Sequence, residues 1–228
     1  MILQTQRICS KDNVLYTKDM KTLVCTVGSI TQVFIPDTVT KIGETAFSGC
    51  KGLTSADFST CTNLTEIGNY AFYDCKELKN VVIPNLVESI GERSFGLCSN
   101  LNTITFLCDN KIDPTKINQL QSKRSFDDGV EASNLMQKID IHVRKEKISD
   151  YQNDNFYKKF KSINPSFMDH TEEYIAVSDK SVDMLKTTRE DETFVFPEKV
   201  THKGKDYVVS LIGDYAFNGV SNKVKEVV

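Results

Sequence analysis

The stretch IGETAFSGC, residues 42–50, recurs further along the chain with few changes. Its copies are IGNYAFYDC from Ile67, IGERSFGLC from Ile90 and a weaker IGDYAFNGV from Ile212. Self-similarity at a period of about 20 to 50 residues is the signature of repeat architectures, in which each unit stacks on its neighbour. The repeated nonapeptide therefore predicts a solenoid.

The match between the units extends beyond the nonapeptide. After the cysteine, each unit has a leucine and then two alternating apolar positions, as a β-strand with one buried face does. These columns hold Leu53, Leu78 and Leu101, then Ala56, Val81 and Ile104, then Phe58, Ile83 and Phe106. An earlier unit supplies Ile30, Val33 and Ile35, so at least four coils should stack.

The spacing of the units keeps the strand columns aligned. The closing strand residues are 23, 25 and 23 residues apart, and the two extra residues fall in the loop FSTCTNLT. Pro36 and Pro84 directly follow their strands, where no further ladder donor is needed. We expect the glycine after each isoleucine to permit a sharp turn or a positive φ, and the next residues to form about one helical turn.

The recurring phenylalanines and cysteines should fill a common core. We predict that Phe47, Phe72 and Phe95 stack in register, because units of this kind cannot bury their apolar edge alone. Cys50, Cys75 and Cys98 occupy one column and are predicted to be free, structural thiols. Cys61 and Cys108 lie outside the repeated columns and are predicted to be exposed loop thiols without function.

The order I-G-x-x-A-F-x-x-C-x-x-L-x-x-V-x-I-P resembles the BspA-like (Treponema pallidum type) leucine-rich repeat. The resemblance covers residues 30–106 convincingly and residues 120–165 and 190–228 more loosely. It implies an α/β leucine-rich repeat solenoid, a right-handed superhelix with a parallel β-ladder on its concave face, short helical turns and a hairpin cap. Proteins of this family occur on the surface of anaerobic bacteria and parasitic protists, so the resemblance also implies non-catalytic adhesion to host or matrix ligands.

The chain divides into two predicted parts. Residues 1–165 form a first array, with a hairpin cap at 13–27 and a closing amphipathic helix over 148–163, which Asn164-Pro165 would end. Residues 166–228 begin a second array, because 173–186 repeats the hairpin pattern and TFVFP opens a new unit. The chain stops on an apolar strand, from which we infer a fragment of a longer protein.

No sequence feature supports catalysis. The 28 basic and 31 acidic residues are interspersed and give a net charge of −3, so electrostatics favours neither nucleic acid nor anionic lipid. No histidine lies at metal-ligand spacing from a cysteine or a carboxylate, the seven cysteines form no CxxC pair, and no nucleotide-binding or hydrolase motif occurs. We therefore expect no catalytic, cofactor or metal site, and no enzyme. No apolar run could insert in a membrane.

The outward face of the ladder remains as the candidate binding surface. If Val33, Ala56, Val81, Ile104 and Ile139 point inward, the residues between them point outward. These candidate ligand-binding residues are Gln32, Phe34, Ser55, Asp57, Asn80, Val82, Thr103, Thr105, Asp140 and His142. Small side chains leave a smooth concavity suited to a protein or a glycan, and the alternative is an ordinary solvated sheet face.

Two functions follow from this surface, and the sequence leaves both open. The family resemblance implies an adhesion module, secreted or on the cell surface. The missing leader and the unpaired thiols favour an intracellular, cytoplasmic scaffold for protein–protein interaction. A glycan-processing enzyme would need a pair of carboxylates, and Asp57 and Asp140 are too far apart in the stack to form one. The oligomeric state and the identity of the ligand are not encoded in any pattern.

Overall fold

In the computed structural model, the fold is a solenoid of parallel strands preceded by an antiparallel cap. The structure describes residues 8–11, 13–27, 30–31, 33, 35–108, 111–112, 135–169, 172–178, 180–187, 193–194, 197–212 and 226–227.

The first element is the predicted N-terminal cap, which has three strands. Strands β1 (Ile8–Lys11), β2 (Val14–Thr17) and β3 (Thr22–Thr26) pair in antiparallel order. The β2–β3 turn contains Lys18–Lys21, as the sequence predicted, and Asp19 stabilises it by accepting hydrogen bonds from the Thr17 hydroxyl and the Lys21 amide. Tyr16 and Leu23, on the apolar face of the cap, are buried in the core.

The coils that follow alternate a two-residue strand with a longer one. The strands are β4 (Lys41–Ile42), β5 (Ser55–Asp57), β6 (Glu66–Ile67), β7 (Asn80–Ile83), β8 (Ser89–Ile90) and β9 (Thr103–Phe106). The short strands continue from β3 in parallel, with Leu23, Ile42, Ile67 and Ile90 in one register column. The longer strands form a second parallel ladder on another side of the coil. Each coil thus contributes one strand to each of two ladders.

The predicted aromatic spine is confirmed. The rings of Phe47 and Phe72 stack with centroids 4.8 Å apart and planes 5° apart, and those of Phe72 and Phe95 stack at 5.3 Å and 6°. Ala56, Val81, Ile104 and Ile139 are buried as predicted, and Val33 packs against the same core. Offset stacking of this kind adds roughly 0.5–1.5 kcal/mol per pair beyond simple burial.

Turns, and no helix, connect the two ladders over residues 41–106. The predicted helical turn is absent from residues 43–50 because backbone groups there bond to the next coil: the amides of Thr45, Phe47 and Gly49 donate to the carbonyls of Asn69, Ala71 and Tyr73. Positive φ recurs at two positions of every coil. These positions are Thr45, Tyr70 and Arg93, then Gly49, Asp74 and Leu97.

The glycine after each isoleucine is required for a different reason from the one expected. A Cβ added to Gly68 would lie 2.8 Å from the carbonyl carbon of Gly43 and from the oxygen of Ile42. The Gly68 amide donates a 2.8 Å hydrogen bond to that same oxygen. Close approach of neighbouring coils therefore demands a residue without a side chain, and the φ angles of Gly43, Gly68 and Gly91 are not positive.

The end of the first array differs from the predicted single helix. Strand β10 (Asp140–Val143) leads to helix α1 (Ile148–Gln152) and a 3₁₀ turn at Tyr157–Lys159, and the chain then returns as strand β11 (Ser162–Pro165). The long ladder therefore has the order β5-β7-β9-β10-β11. Tyr151, Tyr157 and Phe160 bury their rings, but Ile163 lies on β11, because pairing with Ile141 satisfies the backbone there.

The second part begins without a linker. Strands β12 (Phe167–Asp169), β13 (Glu172–Ala176), β14 (Ser181–Thr187), β15 (Thr193–Phe194), β16 (Lys199–His202), β17 (Lys205–Ile212) and β18 (Glu226–Val227) follow. Five of them form one sheet in the order β12-β13-β14-β17-β16, which we call the second cap sheet. The pair β15–β18 is parallel, as a new ladder requires. The division into two arrays at residue 165 remains a proposal.

Candidate functional site

The outward face of the long ladder consists of two rows of side chains. The register aligns Ser55, Asn80, Thr103, Asp140 and Ser162 in a first row. It aligns Asp57, Val82, Thr105, His142 and Asn164 in a second row. All the sequence-predicted ligand-binding residues in the described part of the chain belong to these rows. Gln32 and Phe34 lie outside the described residues.

The second row is covered by the second cap sheet. Val82 and Leu107 form a buried apolar cluster with Ile175 and Val177 of the β13 strand and its turn. The Thr105 hydroxyl donates a 2.6 Å hydrogen bond to the carbonyl oxygen of Ala176. A ligand could therefore reach Val82 or Thr105 only if residues 174–177 moved away, whereas Asp57, at the end of the row, is exposed.

Successive side chains of β13 and β14 point to opposite faces of the second cap sheet, so the sheet packs into two separate apolar clusters. Tyr174, Ala176, Val182 and Met184 face the sheet's own core. Ile175 and Val177 face the ladder. Asp183 lies directly opposite Ile175 in the register and on the same face, since side chains alternate along a strand. The contact between the sheet and the ladder, which we call the junction, thus contains Ile175, Val177 and Asp183.

Two titratable groups at the junction are strongly perturbed. Burial is the main reason that the pKa of Asp183 is raised to about 7; a hydrogen bond from Ser210 acts in the opposite direction, and the nearby carboxylate of Asp57 contributes to the rise. Burial lowers the pKa of His142 to about 4; the cation of Lys205 lowers it too, and Asp140 acts in the opposite direction. At neutral pH His142 is therefore uncharged.

The first row is more accessible. Ser55, Asn80 and Asp140 are half-buried, while Thr103 is buried. Asp140 accepts hydrogen bonds from Lys161 at 2.7 Å and from the Ser162 hydroxyl at 2.5 Å. The buried Oδ1 of Asn80 has no hydrogen-bond partner in the described residues. This row presents amide, hydroxyl and carboxylate groups and is suited to polar contacts.

Sequence reasoning did not find the junction. The signal was present, since Ile175 and Val177 are apolar on the face of the hairpin opposite to Tyr174 and Ala176. A strand apolar on both faces indicates that both faces are covered. The partner of the second face could not be deduced from the pattern, because its contacts lie about 70 residues away in sequence.

The thiols are internal groups. Cys75 and Cys98 each donate a hydrogen bond to a phenylalanine carbonyl of the preceding coil, at 3.0 and 3.1 Å. Cys61 and Cys108 were predicted to be exposed, and this prediction is wrong: both are buried and donate to the carbonyls of Ile35 and Pro84. Burial raises the pKa of Cys61 and of Cys75 to about 12. All six cysteines whose side chains are described are free thiols.

The described ranges contain neither a metal-ligand cluster nor a membrane-spanning helix. No group of three or more His, Cys, Asp or Glu side chains there could hold a metal ion. None of the helices in the described part has the length and apolar character that a membrane crossing requires.

The stacked coils and their parallel ladders define a leucine-rich repeat solenoid. Residues 23–127 match the BspA type leucine-rich repeat region in six copies. Residues 23–127 are therefore a BspA type leucine-rich repeat region, and repeats of this family are typically non-catalytic. No curated protein matches the chain.

Three solved structures are similar to the chain at low sequence identity. A leucine-rich repeat protein from Eubacterium ventriosum is 22% identical with a TM-score of 0.48, covering 72% of this chain and 41% of its own. The pneumococcal vaccine antigen PcpA is 16% identical with a TM-score of 0.40, and the match covers 72% of this chain and 48% of PcpA. A leucine-rich cell surface protein from Faecalibacterium prausnitzii is 16% identical with a TM-score of 0.38, and the match covers 97% of this chain and 76% of that protein. The chain thus corresponds to less than half the length of the first two.

Proposed function

We propose that this protein is a non-catalytic binding module of the cell surface, and that it recognises a protein or glycan ligand through the open part of its long ladder. The contacts would be made by the first row and by Asp57, because Val82 and Thr105 are buried under the second cap sheet. The observation that carries the proposal is the in-register row of short polar side chains, which repetition of the coil holds at strand spacing.

A surface location is consistent with the chemistry of the thiols. Free cysteines ordinarily favour a reducing compartment, since they form disulfides outside it. Here burial raises the pKa of the Cys75 thiol to about 12, so the reactive thiolate is scarce at neutral pH. The buried unpaired cysteines therefore do not oppose an oxidising environment, and the argument for an intracellular scaffold is weakened.

The binding surface can be tested by blocking the first row. The purified chain would be screened on arrays of glycans and of extracellular matrix proteins, together with the variant Ser55→Arg/Asn80→Arg. We expect at least a tenfold loss of affinity for any ligand found, because two long side chains would cover the row. The matched control Thr62→Arg/Ser99→Arg adds the same charge at exposed loop positions and should bind normally.

The outcome that contradicts this site is equal binding by both variants. Location is tested separately, by protease treatment of intact cells of the source organism followed by peptide detection. Release of peptides from this chain supports the surface proposal. Protection until lysis would favour the alternative, an intracellular protein-interaction scaffold that uses the same row.

A further inference from the structure

The junction between the first array and the second cap sheet contains two ionisable groups of opposite charge type, a buried carboxyl group and a half-buried imidazole. Its apolar centre is Val82, Leu107, Ile175 and Val177. Asp183, which is only 2% exposed, lies beside this centre, opposite Ile175 in the register. A contact held by apolar packing alone would not include a buried carboxyl group, since burying a charge is costly unless it is paired.

The surroundings of Asp183 supply one hydrogen bond and one like charge. Its Oδ1 accepts a 2.7 Å hydrogen bond from Ser210 on β17, and its buried Oδ2 has no hydrogen-bond partner in the described residues. The first array brings Asp57 of β5 to it, a second carboxylate, and β13 brings only the apolar Ile175. Among the described residues, the charge that influences it is the carboxylate of Asp57 and not a cation, so the neutral, protonated form is favoured in the closed junction.

The surroundings of His142 act in the opposite sense on junction stability. It lies in the second row between Thr105 of β9 and Asn164 of β11. Lys205 of the second cap sheet approaches it from across the junction, and Asp140 lies on its own strand. The uncharged imidazole is favoured in the closed junction, because a protonated ring would be desolvated beside a lysine cation.

We propose that Asp183 and His142 form a compensating pair that keeps the junction closed at nearly constant strength from acid to neutral pH. Ionisation of Asp183 on raising the pH opposes closure. Loss of the proton from His142 over the same range favours closure. The two effects oppose each other because the groups are of opposite charge type and because the buried Asp183 and the half-buried His142 both lie at the junction.

The pKa values give the sign and the range of each effect. Asp183 changes from an ordinary value of 3.8 to about 7, so its contribution to closure is present below pH 4 and is lost as the pH rises towards 7. His142 changes from 6.5 to about 4, so its contribution is present above pH 6.5 and is lost as the pH falls towards 4. Both groups therefore act between pH 4 and pH 7, with opposite signs.

Opening of the junction can be measured with a thiol placed inside it. Val177→Cys puts a reactive group at a buried junction position, and its alkylation rate, divided by that of an unfolded peptide at the same pH, reports the open fraction. From pH 5 to pH 7.5 we expect this ratio to change only ~3-fold in the Val177→Cys protein. In the protein that also carries Asp183→Asn, the ratio should fall ~30-fold as the pH rises from 5 to 7.5. In the protein that instead carries His142→Gln, it should rise ~70-fold over the same range.

Two controls separate local opening from other effects. Cys75, buried in the first array, should remain unlabelled throughout, which distinguishes junction opening from global unfolding. Asp19→Asn removes an exposed carboxylate in the first cap and should leave the profile flat. Opposite slopes in the two junction variants support the proposal. Parallel slopes, or flat profiles in both, overturn it.

A direct titration keeps the proposal testable even if a variant does not fold. In the unmodified protein, the carboxyl carbon of Asp183 and the imidazole of His142 can be followed by NMR as the pH changes. We expect an Asp183 midpoint near 7 and a His142 midpoint near 4. Ordinary midpoints for both groups would overturn the proposal, because neither would then be linked to closure.

Discussion

At the scale of single residues, the fold depends on side chains that touch their own copies in the next coil. Phe72 stacks on Phe47 on one side and on Phe95 on the other, with nearly parallel rings. Cys75 and Cys98 donate thiol hydrogen bonds to phenylalanine carbonyls of the preceding coil. Each recurring residue thus contributes to two coils at once, and this explains why the same letters recur in the sequence.

The aromatic spine makes the strongest prediction at this scale. Phe72→Ala should lower the free energy of unfolding by about 3–5 kcal/mol, because it leaves a cavity between two stacked rings. Leu86→Ala, at a leucine that is 47% exposed, should cost less than about 0.5 kcal/mol. Urea unfolding followed by circular dichroism measures both. Similar costs for the two variants would contradict a shared spine.

The thiols make a second prediction. In the folded protein at pH 8, iodoacetamide should leave Cys61, Cys75 and Cys98 unmodified, because burial raises the pKa of each thiol and prevents access. Half-buried Cys25 should react faster. In urea all four should react alike. Peptide mass spectrometry measures each site, and labelling of Cys75 at the rate of Cys25 would be evidence against an internal thiol column.

At the scale of elements, the coils are held together by backbone contacts in both ladders and in the turns between them. The amides of Gly43, Gly68 and Gly91 each donate to a carbonyl of the preceding unit, at 2.7–2.8 Å. The amides of Thr45, Phe47 and Gly49 donate in the other direction, to the following coil. The turns are therefore a third line of contact between coils, and they leave no room for a helix.

Two glycines of neighbouring coils allow a matched test of this account. Gly68→Ala should destabilise the protein by at least about 1–3 kcal/mol, because its Cβ would lie 2.8 Å from backbone atoms of the preceding coil. Gly49→Asn should cost less than about 1 kcal/mol. Its φ of +71° is one that asparagine tolerates, and no atom lies within 4 Å of the added Cβ. Thermal unfolding compares them, and the reverse order would show that conformational freedom, and not close approach, selects glycine after isoleucine.

At the scale of the whole molecule, the second cap sheet decides which part of the ladder is open. The chain passes from β11 to β12 through Ser166, which is buried; its amide donates to Val143 and its hydroxyl donates to Glu173. Lys145 forms an ion pair with the same glutamate at 3.6 Å. The second cap sheet is therefore attached at its base as well as at the junction, and the first array's outward face is only partly available.

A charged residue inside the junction should break it. Ile175 is 0% exposed, so Ile175→Arg should cost at least about 1–3 kcal/mol, because its longer side chain overpacks the apolar contact with Val82 and Leu107. Methyl NMR signals of Val82 and Leu107 should move, while those of Val81 and Ile104, on the core side of the ladder, hold their positions. The control Val208→Arg lies in the same sheet at a residue that is 53% exposed and should move none of them. Unmoved Val82 and Leu107 signals in Ile175→Arg would contradict the junction.

The sequence by itself determined the solenoid, its register and its cap. Repetition at a nearly fixed spacing requires that equivalent residues meet, so the Phe47–Phe72–Phe95 stack and the buried column of Ala56, Val81 and Ile104 could be predicted before any coordinates. The loop insertion before Leu64 did not disturb them, because a loop absorbed it. The first row of the candidate site was placed by the same alternation.

Only the tertiary structure decided what covers that surface. The contact of Thr105 with Ala176, the burial of Val82 and the pairing of Ile163 on a strand arise between segments that share no repeat and no local pattern. Periodicity specifies contacts between like positions, because stacking brings copies together. It carries no information on contacts between unlike surfaces, which depend on how the chain turns after its last coil.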